Sequence, residues 1–284
     1  MYHFSQPREL FEFLSTKRCQ GLTVGLVPTM GAIHQGHLSI FEHARKECDI
    51  VVVSIFVNPL QFNNEDDFLR YPRDLEADEK LLESAGVDVL FAPLVGDIHP
   101  SPLRFRISAT EIMSGLEGKF RTGHFEGVAL VVAKLFVIVG ACVAYFGEKD
   151  FQQLRIISDM VRELHFPVQI RPIPTVREEN GLAISSRNVL LSDGARAAAP
   201  SIYEAFKLGC SAAAKGESPV DVLPQMSNLI LLRASENGTS AVIDYLEAVN
   251  GSLEPVSNFD SMSRFFCAVS FDGVRLIDNT PVFP

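Results

Sequence analysis

Apolar runs alternate with amphipathic, helix-spaced segments along the first 174 residues. Leu22 to Val27 is short and apolar and is followed by Pro28, which predicts a strand stopping there. From Gly36 onward, Leu38, Ile40, Phe41 and Ala44 recur at helical spacing. Ile50 to Val57 is apolar on both faces and rich in β-branched residues, as a central parallel strand should be. It closes at Asn58-Pro59, where proline pushes the preceding residue out of helical geometry. Asp74 to Gly86 has the pattern of a charged amphipathic helix ended by glycine, and Val87 to Pro93 that of another buried strand. Val128 to Val139 predicts a buried helix, Cys142 to Phe146 a strand, Phe151 to Leu164 a helix and Val168 to Ile173 a further strand. Repeated βα units imply an α/β fold with a doubly wound, mostly parallel sheet whose ligands sit at the carboxyl ends of the strands.

After Pro174 the pattern changes. A polar stretch from Arg177 to Asn188, with Gly181 as a candidate hinge, leads to an alanine-rich helix beginning near Asp193 and a second helix from Val220 to Ala234. Val242 to Val249, Phe265 to Phe271 and Val274 to Ile277 then have strand character, with Asp272-Gly273 as a hairpin signature. The expected organisation is a nucleotide-binding domain over residues 1–174 and a smaller α+β domain over 175–284 that closes as a lid.

Composition narrows the function. Of the 284 residues, 47% are hydrophobic and 21% charged, which is ordinary globular composition. No apolar run approaches the ~20 residues that span a bilayer, and the start Met1-Tyr2-His3-Phe4-Ser5 lacks a secretory pattern. The five cysteines are scattered and form no CxxC, as expected in a reducing, cytoplasmic setting. A formal charge of -10 disfavours nucleic acid and anionic membrane as partners. An anionic substrate must therefore be met by a local cluster of cations.

Candidate chemistry gathers at strand ends. Pro28-Thr-Met-Gly-Ala-Ile-His34-Gln-Gly-His37 lies where the first strand gives way to a helix, so backbone N–H groups and the helix dipole should face the ligand crevice. Histidines three apart share one side of a turn and are able to donate to phosphate, while Gly36 allows close approach. Two surface histidines, or half of a metal site, would leave the same pattern. Neither GxxxxGK[ST] nor GxGxxG occurs, which removes the common phosphate loops. Gly147-Glu148-Lys149-Asp150 follows another strand, and Lys149 would supply a mobile point charge; equally, Asp150 and Gln153 have capping-box spacing and Lys149 is then merely solvated. Gln61, beyond the Asn-Pro turn, is a candidate for holding a small polar substrate or an ordinary surface residue. Ser185-Ser186-Arg187-Asn188 suits phosphate contacts from a closing segment, or a plain linker with a cap. Gly123-His124-Phe125-Glu126-Gly127 suggests a glycine-bracketed turn with a structural histidine.

Taken together, PTMGAIHQGH at 28–37, FVNPLQF at 56–62, YPR at 71–73, GHFEGV at 123–128, FGEKDFQQL at 146–154, GLAISSRN at 181–188 and LIDN at 276–279 resemble the pantothenate synthetase family (pantoate–β-alanine ligase, AMP-forming) of the HxGH nucleotidyltransferase group. The resemblance runs nearly end to end and implies a Rossmann-like first domain. It implies ATP-dependent condensation of pantoate with β-alanine through pantoyl adenylate, with Mg2+ accompanying ATP and a homodimeric assembly. Carried onto matching positions, it assigns ATP to Met30, Gly31, Ala32, Ile33, His34, Gln35, Gly36 and His37, to Gly147, Glu148, Lys149 and Asp150, and to Val176, Ile184, Ser185, Ser186 and Arg187. Gln61 and Gln153 would hold pantoate. His37, His34, Lys149 and Arg187 would form the catalytic set, with His37 the family's catalytic acid; the protein ligands of the metal are left unassigned. The chain departs from the family pattern at Thr122, Leu130, Val137 and Ala141-Cys142, a group expected around the buried helix that walls the pantoate pocket. The rival reading is a nucleotidylyltransferase that stops at the nucleotidylated product.

Overall fold

The structure is a computed structural model that describes residues 1–63, 65–109 and 111–283, and of residues 65–67 the backbone alone. The chain divides into two compact units, Met1–Glu148 with Gln152–Pro174, and Lys149–Phe151 with Thr175–Pro284.

In the first unit the elements run β1 (Tyr2–Phe4), α1 (Pro7–Cys19), β2 (Val24–Thr29), α2 (Gln35–Glu47), β3 (Ile50–Ile55), α3 (Glu65–Arg70) and α4 (Leu75–Ser84). They continue through β4 (Val89–Phe91), α5 (Val95–Ile98), α6 (Glu117–Phe120), α7 (His124–Val139), β5 (Cys142–Gly147), α8 (Phe151–Glu163) and β6 (Val168–Ile173). The six strands form one parallel sheet in the order β1-β4-β3-β2-β5-β6. This is the doubly wound α/β architecture that the alternating pattern predicts. From β2 the chain builds outward through β3 and β4 on one side, then returns to build β5 and β6 on the other. The order therefore reverses between β2 and β5, the point at which open parallel sheets bind ligands beyond the carboxyl ends of their strands.

Strand alternation explains why both faces of the sheet are apolar. Val27, Val51, Val53, Leu90 and Tyr145 pack with Phe41 and Ala44 of α2 and Leu82 of α4. Leu26, Val52, Val89, Phe91 and Ala144 alternate with them, point the other way and are equally buried. Helix α7 is buried around most of its circumference from Phe125 to Val139 and packs against α1 and against a 3-10 turn at Pro59–Gln61. That contact requires Gly127, because a Cβ there would lie 2.4 Å from the Leu60 carbonyl oxygen.

Several elements differ from the sequence expectation. Pro28 does not end β2, which continues to Thr29 in register with β3. Pairing with β5 ends at Leu26–Ala144, so the side toward which a Pro28 N–H would point carries no ladder, and a residue without that donor is tolerated. His124 to Gly127 form the first turn of α7 rather than a separate turn before it, with Gly123 in the left-handed region at φ 82° just ahead of the helix. β1 and α1 precede the expected elements, and Pro7 at the helix start with the i, i+4 pair Leu10 and Leu14, both fully buried, carries the signal for α1. Of the positions where the chain departs from the family pattern, Val137 is 65% exposed and Thr122 and Ala141 are exposed, while Leu130 is buried.

In the second unit α9 (Asp193–Ala198), α10 (Ser201–Ala214) and α11 (Pro219–Glu236) precede an antiparallel sheet of β7 (Ala241–Val249), β8 (Arg264–Phe271) and β9 (Val274–Pro281), in the order β7-β8-β9. The expected single alanine-rich helix breaks at Pro200, which lacks the N–H needed to continue α9. Asp272 and Gly273 are both left-handed, at φ 46° and 83°, as a two-residue hairpin turn requires. Ile202, Phe206, Met226 and Ile230 from the helices pack against Phe265, Cys267, Val269 and Phe271 of the sheet.

One buried group in the first unit makes stability pH-dependent. His99 packs its ring 5.7 Å from that of Phe56, with Lys134 Nζ 3.2 Å from its Nδ1. Burial, followed by the Lys134 charge, lowers its pKa from 6.5 to about 4. The unfolded chain thus binds a proton between those values that the folded chain refuses, so His99 stabilises the fold fully above pH 6.5 and progressively less toward pH 4. Urea unfolding of the wild type should lose up to about 1.4 kcal/mol per pH unit more than His99→Phe across that window. Parallel pH dependences would sink this assignment.

Candidate active site

β2 ends at Thr29, and the chain must then reverse within a few residues to start α2. Gly31 and Ala32 take up left-handed backbone at φ 83° and 52°, unfavourable for alanine, so the turn needs support. Thr29 Oγ1 donates to the Ser54 carbonyl at 2.8 Å and accepts from Gly31 N at 3.2 Å. Asp78, buried on α4, accepts from Ala32 N at 2.9 Å and from Ile33 N at 2.8 Å. A Cβ at Gly31 would sit 2.8 Å from Asp78 Oδ2, so both space and φ demand glycine there.

His34 then caps α2. Its Nδ1 accepts from Gly36 N at 3.1 Å, while its own N–H is directed at His37 Nδ1 at 3.3 Å, and the two rings stack at 4.0 Å between centroids. This differs from the expected row of backbone donors facing a phosphate. The N–H groups of Gly31, Ala32, Ile33, His34 and Gly36 are all taken up inside the protein. The result is that the imidazoles are oriented. A ring whose Nδ1 accepts carries its proton on Nε2, so each histidine presents an Nε2–H donor.

Gln61 joins this loop. It is 8% exposed, which excludes an ordinary surface residue. Its Nε2 lies 3.0 Å from Met30 Sδ, and its Oε1 accepts from Asn58 Nδ2 at 3.1 Å. Its backbone carbonyl is fixed by the buried His124 Nδ1 at 2.7 Å. His124 is thus structural, as its sequence context suggests. Gly147 ends β5, the strand beside β2, with Glu148 next along the chain. Gln153 is half-buried, and no described residue hydrogen-bonds its side chain, so the capping pair with Asp150 does not form. Its neighbour Gln152 takes the structural role, accepting from Glu117 N and donating to the carbonyls of Ile112 and Gly115.

In the second unit, Lys149 shares a concave surface with Ser185, Arg187, Arg275 and Asp278. Asn279 Nδ2 donates to the Lys149 carbonyl at 2.9 Å, and Lys149 Nζ lies 3.7 Å from Asp150 Oδ1. Ser185 caps the 3-10 turn Ser186–Leu190 by accepting from Arg187 N at 3.3 Å, while Ile184 N donates to the Val176 carbonyl at 3.0 Å. Gly181, the candidate hinge, closes a turn between the bridged residues Arg177 and Ala183, packed on Tyr203. A partly buried pair, Arg177 Nη2 with the buried Asp278 Oδ1 at 3.0 Å, anchors that turn to β9.

Asp78 escaped sequence analysis because it reads as one charge of an amphipathic helix. The usable signal was its place four residues before the fully buried Leu82, on the apolar stripe of α4. Removing its two charge-assisted bonds in Asp78→Ala should cost about 3 kcal/mol in urea unfolding, with Asp78→Asn, which keeps one acceptor, intermediate. A variant within about 0.5 kcal/mol of wild type would show that the loop does not rest on this carboxylate.

Comparisons with known proteins agree with one another. Residues 3–281 match the family described as Pantoate-beta-alanine ligase. Pantothenate synthetase of Aquifex aeolicus (strain VF5) is 46% identical over 279 residues, covering 98% of each chain. That of Thermus thermophilus is 48% identical over 267 residues, covering 92% of this chain and 94% of the relative. The crystal structure of pantothenate synthetase from Thermus thermophilus superposes with a TM-score of 0.92 at 45% identity, covering 100% of both chains. That of the Francisella tularensis pantoate-beta-alanine ligase, complexed with beta-gamma ATP and beta-alanine, superposes with a TM-score of 0.82 at 35% identity, covering 99% of this chain and 98% of the other. A match across almost the whole length, joined to the HxGH turn at the switch point of the sheet, makes this chain a member of the pantoate–β-alanine ligase family.

Proposed function

We propose that the chain joins pantoate to β-alanine at the expense of ATP. An oxygen of the pantoate carboxylate attacks the α-phosphorus, the bond from that phosphorus to the bridging oxygen breaks, and pyrophosphate leaves. The amine of β-alanine then attacks the acyl carbon of pantoyl adenylate. The bond to AMP breaks, the amine gives up a proton to solvent, and pantothenate departs. In a chain of this family, the observation that carries the reading is the set of oriented donors, His34, His37 and Gln61, at the carboxyl edge of the parallel sheet.

The reaction needs positioning and charge neutralisation more than covalent help, because ATP supplies the activated phosphorus. His34 and His37 serve as neutral Nε2–H donors to phosphate oxygens. With its Nδ1 turned to the His34 N–H, His37 acts electrostatically through its Nε2–H in place of the catalytic-acid role that the family resemblance implies. Met30 to Ile33, Gln35 and Gly36 complete the nucleotide loop of the first unit, with Gly147 and Glu148 beyond β5. Lys149, Asp150, Val176, Ile184, Ser185, Ser186 and Arg187 form the ATP-binding part of the second unit, with Lys149 and Arg187 meeting charge that develops during transfer. Gln61 and Gln153 hold pantoate.

Among the described residues no three His, Cys, Asp or Glu side chains group to hold a metal ion. A Mg2+ accompanying ATP would share the charge of the triphosphate. No helix of the described residues is long and apolar enough to cross a membrane. A cytoplasmic homodimer is part of the proposal, supported by family membership.

Pyrophosphate release from ATP should require pantoate, and AMP and pantothenate should accumulate when β-alanine is also present. Adenylation without amine-dependent AMP release would instead favour a nucleotidylyltransferase. Lys149→Ala and His37→Gln should each slow pyrophosphate release by an amount equivalent to ~2–4 kcal/mol, the scale for a lost transition-state contact. The limbs of the pH–rate profile should stay unchanged in His37→Gln; loss of one limb would make His37 a proton donor after all.

A further inference from the structure

We propose that His99 and Lys134 are positioning residues that fix the side-chain amide of Gln61 as a hydrogen-bond donor toward an oxygen acceptor of the acid substrate. The inference rests on the reading above that Gln61 meets pantoate.

The polarity of the network is set by backbone groups, whose roles as donor or acceptor are not open to choice. Asn58 Oδ1 accepts from Leu60 N at 3.2 Å, so it is the oxygen. Asn58 Nδ2 reaches the Gly127 carbonyl at 3.0 Å, so it is the nitrogen. The second proton of that nitrogen points at Gln61 Oε1 at 3.1 Å, which must accept. Gln61 is thereby left with its –NH2 as the presented end, close to the weakly accepting Met30 Sδ. A flipped Gln61 would set two –NH2 groups against each other in a buried site, at the cost of unsatisfied polar atoms.

His99 and Lys134 continue the same direction of donation away from the site. His99 Nε2 lies 2.9 Å from Asn58 Oδ1 and must donate, since that oxygen accepts. His99 Nδ1 must then accept, and Lys134 Nζ, 3.2 Å away and bonded also to the Ile98 carbonyl, is the donor that suits it. An ammonium has no lone pair to offer, so the relay has one sense: Lys134 to His99 to Asn58 to Gln61 to substrate. Each bond polarises the next donor, and the ammonium at the far end adds to that polarisation. Gln61 thus presents donors alone. The group it selects is an acceptor, a carboxylate or hydroxyl oxygen, and an amide or ammonium nitrogen at that point is rejected.

Steady-state kinetics of the full chain test the relay. His99→Phe keeps the ring packing against Phe56 and removes both nitrogens. It should raise KM for pantoate about tenfold, the value of one lost hydrogen bond, with KM for ATP and for β-alanine within about twofold of wild type. Lys134→Met should act in the same direction more weakly, and His99→Gln, which keeps one acceptor and one donor, should restore KM for pantoate. A folded His99→Phe with unchanged KM for pantoate, or equal rises in every KM that His99→Gln does not rescue, would overturn the proposal. Nitrogen NMR of the wild type provides a readout independent of turnover and of variant folding. His99 should show a protonated Nε2 and an unprotonated Nδ1 at neutral pH, and the opposite tautomer overturns the relay. If the wild type does not turn over pantoate, the functional reading fails while the tautomer still decides the relay.

Discussion

A strand that ends inside a parallel sheet leaves the following residues with backbone donors that no ladder can take up. In this chain one carboxylate, Asp78, takes two of them, from Ala32 and Ile33, and Thr29 takes a third from Gly31. The HxGH turn depends on this arrangement. Two consecutive left-handed residues, one of them alanine, are unfavourable, and the Asp78 bonds offset that cost. With the turn fixed, α2 begins at Gln35 and its cap falls on His34, which draws His37 into the same box. The orientation of both imidazoles is thus a consequence of how a strand end is satisfied.

The same economy of donors separates what was legible in the sequence from what was not. Long periodic segments such as β3, α4, α8 and β6 could be read because burial on one face or both leaves its period in the residue types. Pro28 misled because its effect depends on which side of β2 still carries a partner, a property of the register with β5. His124 and Gly127 looked like part of a turn ahead of the helix and proved helical, because α7 starts a turn earlier and packs on Pro59–Gln61. At the site, the motif located His34, His37 and Gln61, but the tautomers and amide polarity come from contacts with Gly36, Asn58 and the Gly127 carbonyl. Asp78 stayed hidden because it reads as one more charge of an amphipathic helix unless its place on the stripe of Leu82 is weighed.

Electrostatics follow a similar logic. A chain with a formal charge of -10 repels an anion over most of its surface, so cations for a triphosphate have to be gathered locally. In the second unit Lys149, Arg187 and Arg275 line one concavity, with Asp278 buried beneath and committed to Arg177. That commitment matters. A carboxylate already paired with a guanidinium is largely neutralised as a neighbour, so it can shape the surface without repelling phosphate. Arg275 is likewise held by Asp244 at 2.6 Å, which fixes the direction of its remaining donors.

In the first unit selectivity would come from direction rather than charge. The donor end of Gln61 is what remains after Asn58 has taken its oxygen, and Asn58 is itself held by the Leu60 N–H and the Gly127 carbonyl. Reversing the amide of Gln61 would set its –NH2 against that of Asn58, or require Asn58 to turn away from both the Leu60 N–H and the Gly127 carbonyl, a larger cost than rotating a free side chain. In this chain the second donor on Asn58 Oδ1, besides Leu60, is His99, and Lys134 behind it keeps the sense of donation unbroken.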